Sequence, residues 1–200
     1  MTIPSDDLIY ARLAAAAYNP VPAPGVQRIQ FQDISADIVG NVCAVRGTNS
    51  FATLRRDMEV IGMVPVEHPT LGPCNAGALV AALGLLPLIP AGVDEFTGHS
   101  EGGTIAALLA GLHGAKLLVT WDAPKVGTPV LAAFMAALAI RQYRFSGSIV
   151  TTWPEGLDRH VREPLIEIGE WTMNLVLAHS IDRAVAWLES APAEIVTKAA

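Results

Sequence analysis

Short strand-like runs alternate with longer helical runs along this chain. Strand-like runs occupy residues 28–33, 36–47, 94–98, 115–121 and 142–147. Helical runs occupy residues 8–18, 51–62, 77–86, 101–111, 129–140 and 180–190. Alternation of this kind produces a mostly parallel sheet with helices on both faces. We therefore expect residues 1–200 to form a single α/β domain.

Two of these helices have recognisable start signals. Thr128 followed by Pro129 predicts an N-cap and a proline at the first helical position, for a helix through residues 129–140. Ser180 is predicted to cap the last helix.

The composition restricts the partners of the chain. Hydrophobic residues make up 52% of the 200 positions and charged residues 16%, enough for a sizeable core. The formal net charge is −6 and no basic run is present, which argues against a nucleic-acid partner and favours neutral substrates. No Cys/His cluster has metal-ligand spacing, so we expect neither a metal nor an organic cofactor.

The two cysteines, Cys43 and Cys74, give no readable pairing pattern, and two buried thiols are favoured over a disulfide. The first residues contain no basic segment followed by an apolar run, so a cytoplasmic location is the default expectation. Residues 76–93 are uncharged and reach the lower limit of a membrane span, but Pro87 and Pro90 interrupt them. A buried helix ending near Leu86 is favoured, with membrane contact as the alternative.

The most specific motif is Gly98-His99-Ser100-Glu101-Gly102, which matches G-x-S-x-G. A predicted strand precedes it and a predicted helix follows it, as a nucleophile elbow requires. Such a turn strains the serine backbone and leaves little room two residues before and after it, hence the glycines. The following helix directs its N-terminus at the serine, which favours developing negative charge. The alternative is that Ser100 only caps the helix.

Six segments extend this pattern. They are CAVRGTNS (43–50), LGPCNAGALVAA (71–82), TGHSEGG (97–103), VTWDAPKVGTPVLAAF (119–134), FSGSIVTTWP (145–154) and AHSIDRAVAWL (178–188). In this order they resemble the class 3 (fungal-type) lipase family, over about residues 40–190. The resemblance implies an α/β-hydrolase fold with a mostly parallel central sheet and helices on both faces. The family has an amphipathic lid, but the helix predicted in that region of this chain is short, so we expect a small or absent lid. It also implies hydrolysis of carboxylic esters.

A serine nucleophile needs an imidazole to take its proton, and in this fold the order is nucleophile, acid, histidine. His113, His160 and His179 follow Ser100. His113 lies in the helix after the motif and is expected to point away, and His160 lies in a segment that resembles a non-catalytic part of the family. The resemblance places the base at His179, just before the last helix.

The acid departs from the family pattern, because Ser148 stands where the resemblance predicts an aspartate. Relocation to Asp122, at the end of the strand after the motif, is favoured, because some other α/β-hydrolases carry their acid there. Asp158, in a later segment, is a second candidate. The third interpretation is that the acid is missing.

The oxyanion hole is predicted from backbone N–H groups. The donor after the nucleophile belongs to Glu101, and the resemblance puts the second donor at Thr48. Arg46 and Asp57 match framework positions of the family, so the resemblance implies a structural role for both, such as an ion pair.

Residues 50–69 occupy the position of the family's lid, with apolar Phe51, Leu54, Met58, Ile61 and Met63. A thinly covered site favours small or accessible esters at least as much as insoluble lipids, and allows transient contact with a lipid surface. No obligate protein partner is implied. The main hypothesis is an esterase or lipase acting through an acyl-serine. The alternative is a non-catalytic binding or scaffold protein that lost the usual acid.

Overall fold

The computed structural model describes residues 3–47, 65–148, 150–152, 165–172, 174, 178–191 and 196–197. The predicted helix at 51–62, the predicted lid, Thr48, Asp57, Asp158 and His160 lie outside these residues. The strands are β1 Ile3–Pro4, β2 Gln27–Phe31, β3 Ile34–Val39, β4 Val42–Val45, β5 Pro65–His68, β6 Gly72–Asn75, β7 Glu95–His99, β8 Leu117–Trp121, β9 Ala139–Phe145, β10 Ile166–Ile168 and β11 Val196–Thr197. The helices are α1 Asp7–Ala16, α2 Ala76–Leu85, α3 Glu101–His113, α4 Pro129–Phe134 and α5 Ile181–Ser190.

The central sheet, within the described residues, has seven strands in the order β10-β9-β8-β7-β4-β3-β2. In this sheet, the neighbouring strands β10, β9, β8, β7 and β4 run parallel to one another. Strand β3 pairs antiparallel with both β4 and β2. In the parallel register His99 pairs with Trp121, and Trp121 pairs with Tyr143. The carboxyl ends of β7, β8 and β9 therefore meet at one edge, and the prediction of a mostly parallel sheet is confirmed.

Helices cover both faces of this sheet because its central strands are apolar on both sides. In β8, Leu118 faces the core cluster that includes residues of α2, α3 and α4. Val119 and Trp121 face the opposite cluster, which includes residues of α1 and α5. Side chains alternate between the faces of a strand, so a strand buried on both faces reads as a continuous apolar run. The Trp121 ring stacks on Tyr143 with centroids 4.4 Å apart.

Within the long uncharged stretch at 76–93, residues Ala76–Leu85 form a short helix, as predicted, but only one side of it is buried, and Val80 and Leu83 are exposed. The Asn75 side chain caps α2 by accepting a hydrogen bond from the Ala78 N–H at 3.0 Å. The helix ends at Leu85 and passes into a 3₁₀ turn at Leu86–Leu88, which contains Pro87. Within the described part of the chain, no helix has both the length and the apolar character to cross a bilayer.

Both cysteines are free thiols in the core. Cys43 lies in β4 and Cys74 in β6, and both are buried. The favoured interpretation of two buried thiols agrees with this placement.

The predicted helix at 129–140 is wrong in its second half. α4 ends at Phe134, and Ala139–Phe145 forms β9, which pairs with β8 along its length. Helix-favouring alanine and leucine occupy this segment, but pairing in the interior of the sheet overrides local propensity. Thr128 and Ser180 do lie at the N-cap positions of α4 and α5, although neither side chain makes a capping hydrogen bond.

Candidate active site

Ser100 lies in the one-residue turn between β7 and α3. Its backbone has φ 58° and ψ −135°, a sparsely populated conformation for a residue with a side chain. Such backbone strain costs on the order of 1–3 kcal/mol and persists where the surroundings hold it. Here the Ser100 N–H donates to the Trp121 carbonyl at 2.9 Å, and the Ser100 carbonyl accepts from the Gly103 N–H at 2.9 Å. The turn is thus fixed from both strand and helix.

The two glycines of the motif allow helix α3 to pack directly on the strands. A Cβ on Gly98 would lie 2.5 Å from the carbonyl carbon of Gly102. A Cβ on Gly102 would lie 2.7 Å from both the carbonyl carbon of Arg46 and the nitrogen of Gly47. The obstructing atoms belong to the backbone, so no rotamer change could make room. The structure therefore supports the steric reason for glycine at both positions.

His179 reaches Ser100 from the segment just before α5. Its Nε2 lies 2.7 Å from the Ser100 Oγ. Both residues are buried, with 2% of Ser100 and 9% of His179 exposed. A neutral imidazole with an unprotonated Nε2 can accept the serine proton in this geometry.

Asp122 contacts the other nitrogen of the same ring. Its Oδ2 lies 2.5 Å from the His179 Nδ1, and its Oδ1 accepts a hydrogen bond from the Phe145 N–H at 3.0 Å. Asp122 is completely buried directly after β8, and its own N–H donates to the Tyr143 carbonyl at 2.7 Å. Because the carboxylate can only accept, Nδ1 carries the proton and Nε2 is left as the acceptor for the serine hydroxyl.

Ser148 takes no part in this chain of contacts. Its N–H donates to the Phe145 carbonyl at 2.9 Å, and its hydroxyl accepts from the Val150 N–H at 3.3 Å. These contacts define a local turn after β9. The carboxylate beside His179 is thus supplied by β8, one strand closer to Ser100.

Of the two predicted oxyanion donors, only Glu101 is described. It is the first residue of α3, so its backbone N–H belongs to the helix end where such groups point outward. Its carboxylate lies in the first helical turn, where the helix dipole favours negative charge. Gly47, the residue before Thr48, is buried.

Sequence reasoning missed two residues at this site, Tyr18 and His99. The His99 Nδ1 lies 2.8 Å from the Tyr18 hydroxyl, and its Nε2 lies 2.8 Å from the His179 carbonyl oxygen. Burial, and to a lesser degree the neighbouring His179, lowers the pKa of His99 well below its usual range. His99 occupies a variable position of G-x-S-x-G, and no spacing in the sequence connects it with Tyr18. Only the contact of α1 with β7 brings them together.

A mostly parallel sheet with helices on both faces, and Ser100 in the tight turn between a central strand and its helix, defines the α/β-hydrolase fold. Solved structures of fungal lipases share it. The lipase of Rhizomucor miehei, solved as a propeptide complex, superposes with a TM-score of 0.60 and 21% identity over 75% of this chain and 63% of that chain. Lipase II from Rhizopus niveus gives 0.61 and 20% identity over 76% of this chain and 75% of that chain. A lipase from Yarrowia lipolytica gives 0.57 and 19% identity over 80% of this chain and 77% of that chain.

This chain spans less than two thirds of the length of the Rhizomucor miehei lipase. No protein-family profile matches the sequence, and no curated protein sequence matches it. At identities near 20% the likeness establishes the fold.

Proposed function

We propose that this protein is a serine hydrolase of carboxylic esters, with Ser100 as nucleophile, His179 as general base and Asp122 as the acid. The observation that carries the proposal is one continuous hydrogen-bonded chain, 2.7 Å from Ser100 Oγ to His179 Nε2 and 2.5 Å from His179 Nδ1 to Asp122 Oδ2. A serine, histidine and carboxylate in this order and geometry define the catalytic triad. The shared fold with fungal lipases supports esters as the substrate class.

The reaction proceeds in two half-reactions. The Ser100 Oγ attacks the ester carbonyl carbon while its proton passes to the His179 Nε2, and Asp122 stabilises the imidazolium that forms. Collapse of the tetrahedral intermediate breaks the bond to the alcohol, which leaves with the proton from His179. Water then attacks the acyl-serine carbonyl carbon and gives a proton to His179. The bond from that carbon to Ser100 Oγ breaks, His179 returns the proton to Oγ, and the carboxylic acid departs.

The strained turn at Ser100 serves as the nucleophile elbow of this mechanism. It holds the hydroxyl at the carboxyl edge of the sheet, beside the N-terminus of α3. The Glu101 N–H is one proposed donor to the oxyanion of the tetrahedral intermediate, and the Thr48 N–H is the other. Loss of one such donor typically lowers kcat by about 10²–10³-fold.

Small esters or lipid esters are the proposed substrates, with transient contact at a lipid surface as a further proposal. A simple ester exposes one carbonyl to attack, and the triad supplies the nucleophile and the proton transfers for it. We propose no metal and no organic cofactor for this reaction.

Turnover of p-nitrophenyl butyrate tests the proposed function. Wild-type protein is expected to release p-nitrophenol, and Ser100→Ala is expected to reduce the rate to the background of the buffer. His113→Leu provides a matched control, since His113 ends α3 and its ring packs on Phe96 with centroids 5.7 Å apart. Equal rates for wild type and Ser100→Ala would reject the hydrolase and favour the scaffold alternative, which the vacant acid position at Ser148 motivates.

A further inference from the structure

A second series of hydrogen bonds lies beside the site and connects Tyr18, His99 and the main chain of His179. Tyr18 follows α1, His99 ends β7 and His179 precedes α5, so these hydrogen bonds join three separate segments. Each of the two contacts, from Tyr18 Oη to His99 Nδ1 and from His99 Nε2 to the His179 carbonyl oxygen, measures 2.8 Å. None of these groups takes a proton in the proposed reaction.

The chemistry of the partners determines which group donates each of these hydrogen bonds. The His179 carbonyl oxygen can only accept, so His99 Nε2 carries a proton and donates it. In a neutral ring Nδ1 is then an acceptor, and the Tyr18 hydroxyl donates to it. Burial lowers the pKa of His99 well below its usual range and raises the pKa of Tyr18 above its usual range. Both groups therefore stay neutral near pH 7.

His99 also packs on the residue that orients the acid. Its ring stacks on Phe145 with centroids 5.8 Å apart and an interplanar angle of 13°. The Phe145 N–H is the group that donates to Asp122 Oδ1 at 3.0 Å. One buried ring thus contacts the main chain of His179 and the residue that holds Asp122.

The Tyr18 hydroxyl lies against the segment that leads to the proposed second oxyanion donor. A Cβ built on Gly47 would collide with that hydroxyl and would lie 2.5 Å from the His99 carbonyl oxygen. Gly47 immediately precedes Thr48. The hydroxyl therefore fills the space beside Gly47 and leaves the backbone at Gly47 little freedom to shift inward.

We propose that Tyr18 and His99 are positioning residues for the proposed reaction, which together hold the main chain of His179 and support Gly47 beside the oxyanion donor. The inference rests on the proposed function. Fixing the main chain on one side of His179, and Nδ1 on the other, leaves its ring a single orientation toward Ser100. The neutral His99 ring, with its centroid 4.6 Å from that of His179, places no second positive charge beside the imidazolium.

Three substitutions test this role. Tyr18→Phe removes only the hydroxyl. His99→Leu removes both ring contacts, whereas His99→Gln keeps an amide N–H able to reach the His179 carbonyl. Since a 1 Å misplacement costs about 10²-fold, we expect His99→Leu to lower kcat for p-nitrophenyl butyrate by about 10–100-fold with KM nearly unchanged. We expect His99→Gln to recover most of that loss and Tyr18→Phe to lower kcat several-fold.

A second readout needs no turnover. The NMR resonance of the His179 Nδ1 proton reports its contact with Asp122, and we expect His99→Leu to shift or broaden it while His113→Leu leaves it in place. Thermal unfolding confirms that each variant is folded at the temperature used. An unchanged kcat and an unchanged resonance in folded His99→Leu would overturn the positioning role. Loss of the proposed function is recognised separately, by a wild-type rate equal to that of Ser100→Ala.

Discussion

Ser100 and Asp122 each stand one residue beyond the end of neighbouring parallel strands, and each has a positive φ, 58° and 48°. Each also extends its strand's ladder by one hydrogen bond, Ser100 to the Trp121 carbonyl and Asp122 to the Tyr143 carbonyl. Because both residues have a positive φ at adjacent strand ends, their side chains lie close enough for the His179 imidazole to contact both. The strand that ends at Phe145 contacts Asp122 through two backbone groups, the Phe145 N–H and the Tyr143 carbonyl.

Replacement of Asp122 by asparagine is expected to lower kcat on the order of 10⁴-fold, because the amide can neither fix the Nδ1–H tautomer nor stabilise the imidazolium. Initial rates on p-nitrophenyl butyrate measure the effect. Ser148→Ala is the matched control, since that hydroxyl accepts a local hydrogen bond from the Val150 N–H. Full activity in Asp122→Asn, or a loss in Ser148→Ala as large as that in Asp122→Asn, would contradict the placement of the acid.

Substitution of Gly102 by alanine is expected to destabilise the fold by about 1–3 kcal/mol, the usual range for overpacking. Its Cβ would lie 2.7 Å from backbone atoms of Arg46 and Gly47, which cannot rotate away. The free energy of urea unfolding measures the change. Gly92→Ala serves as the control, because nothing lies within 4 Å of a Cβ there. Equal stability of the two variants would show that α3 does not pack this closely.

The buried carboxyl of Asp7 predicts a pH-dependent stability. Burial raises its pKa from 3.8 to about 6, against the opposing effects of the Tyr143 hydroxyl and Arg141, whose Nη2 lies 2.8 Å from Oδ1. The folded protein therefore holds this proton at a pH where the unfolded chain has lost it. The stability it contributes is complete below pH 3.8 and is lost as the pH rises toward 6.

Urea unfolding at several pH values, for wild type and Asp7→Asn, measures this contribution. Between pH 4 and 6 the free energy of unfolding of wild type should fall relative to that of the variant, by up to about 1.4 kcal/mol for each pH unit. Parallel curves for the two proteins would contradict the assignment to Asp7.

The two thiols are expected to react slowly in the folded protein. Burial raises the pKa of Cys43 to about 12 and that of Cys74 to about 11, so little thiolate forms near pH 8. Iodoacetamide should label neither residue until urea unfolds the chain, as followed by intact mass. Rapid labelling of native protein would show that the core around β4 and β6 opens readily.

Sequence patterns alone predict the strands and the turn that position the candidate site. The strand ending at Trp121 is an apolar run. The glycines of G-x-S-x-G indicate a steric requirement, and the structure shows close backbone contacts at both Gly98 and Gly102. Asp122, the residue that the sequence favours as the acid, contacts the His179 ring, and its catalytic role stays a prediction.

The other features of the fold and of the site depend on tertiary contacts, which no local sequence pattern predicts. Residues 135–140 carry helix-favouring side chains, yet β9 begins at Ala139 because β8 offers it a buried edge for pairing. β10 has three residues, too few for a periodic signal. Tyr18 and His99 are far apart in the chain, and only the packing of α1 on β7 makes them partners.

The most direct test of the account is covalent labelling with an alkyl fluorophosphonate, followed by peptide mapping. An activated serine attacks phosphorus and expels fluoride, so the adduct marks the nucleophile. We expect the adduct on the peptide that contains Ser100, its absence in Ser100→Ala, and a greatly reduced labelling rate in His179→Ala. No adduct on the wild-type protein, or one that persists in Ser100→Ala, would contradict the assignment of Ser100 as an activated nucleophile.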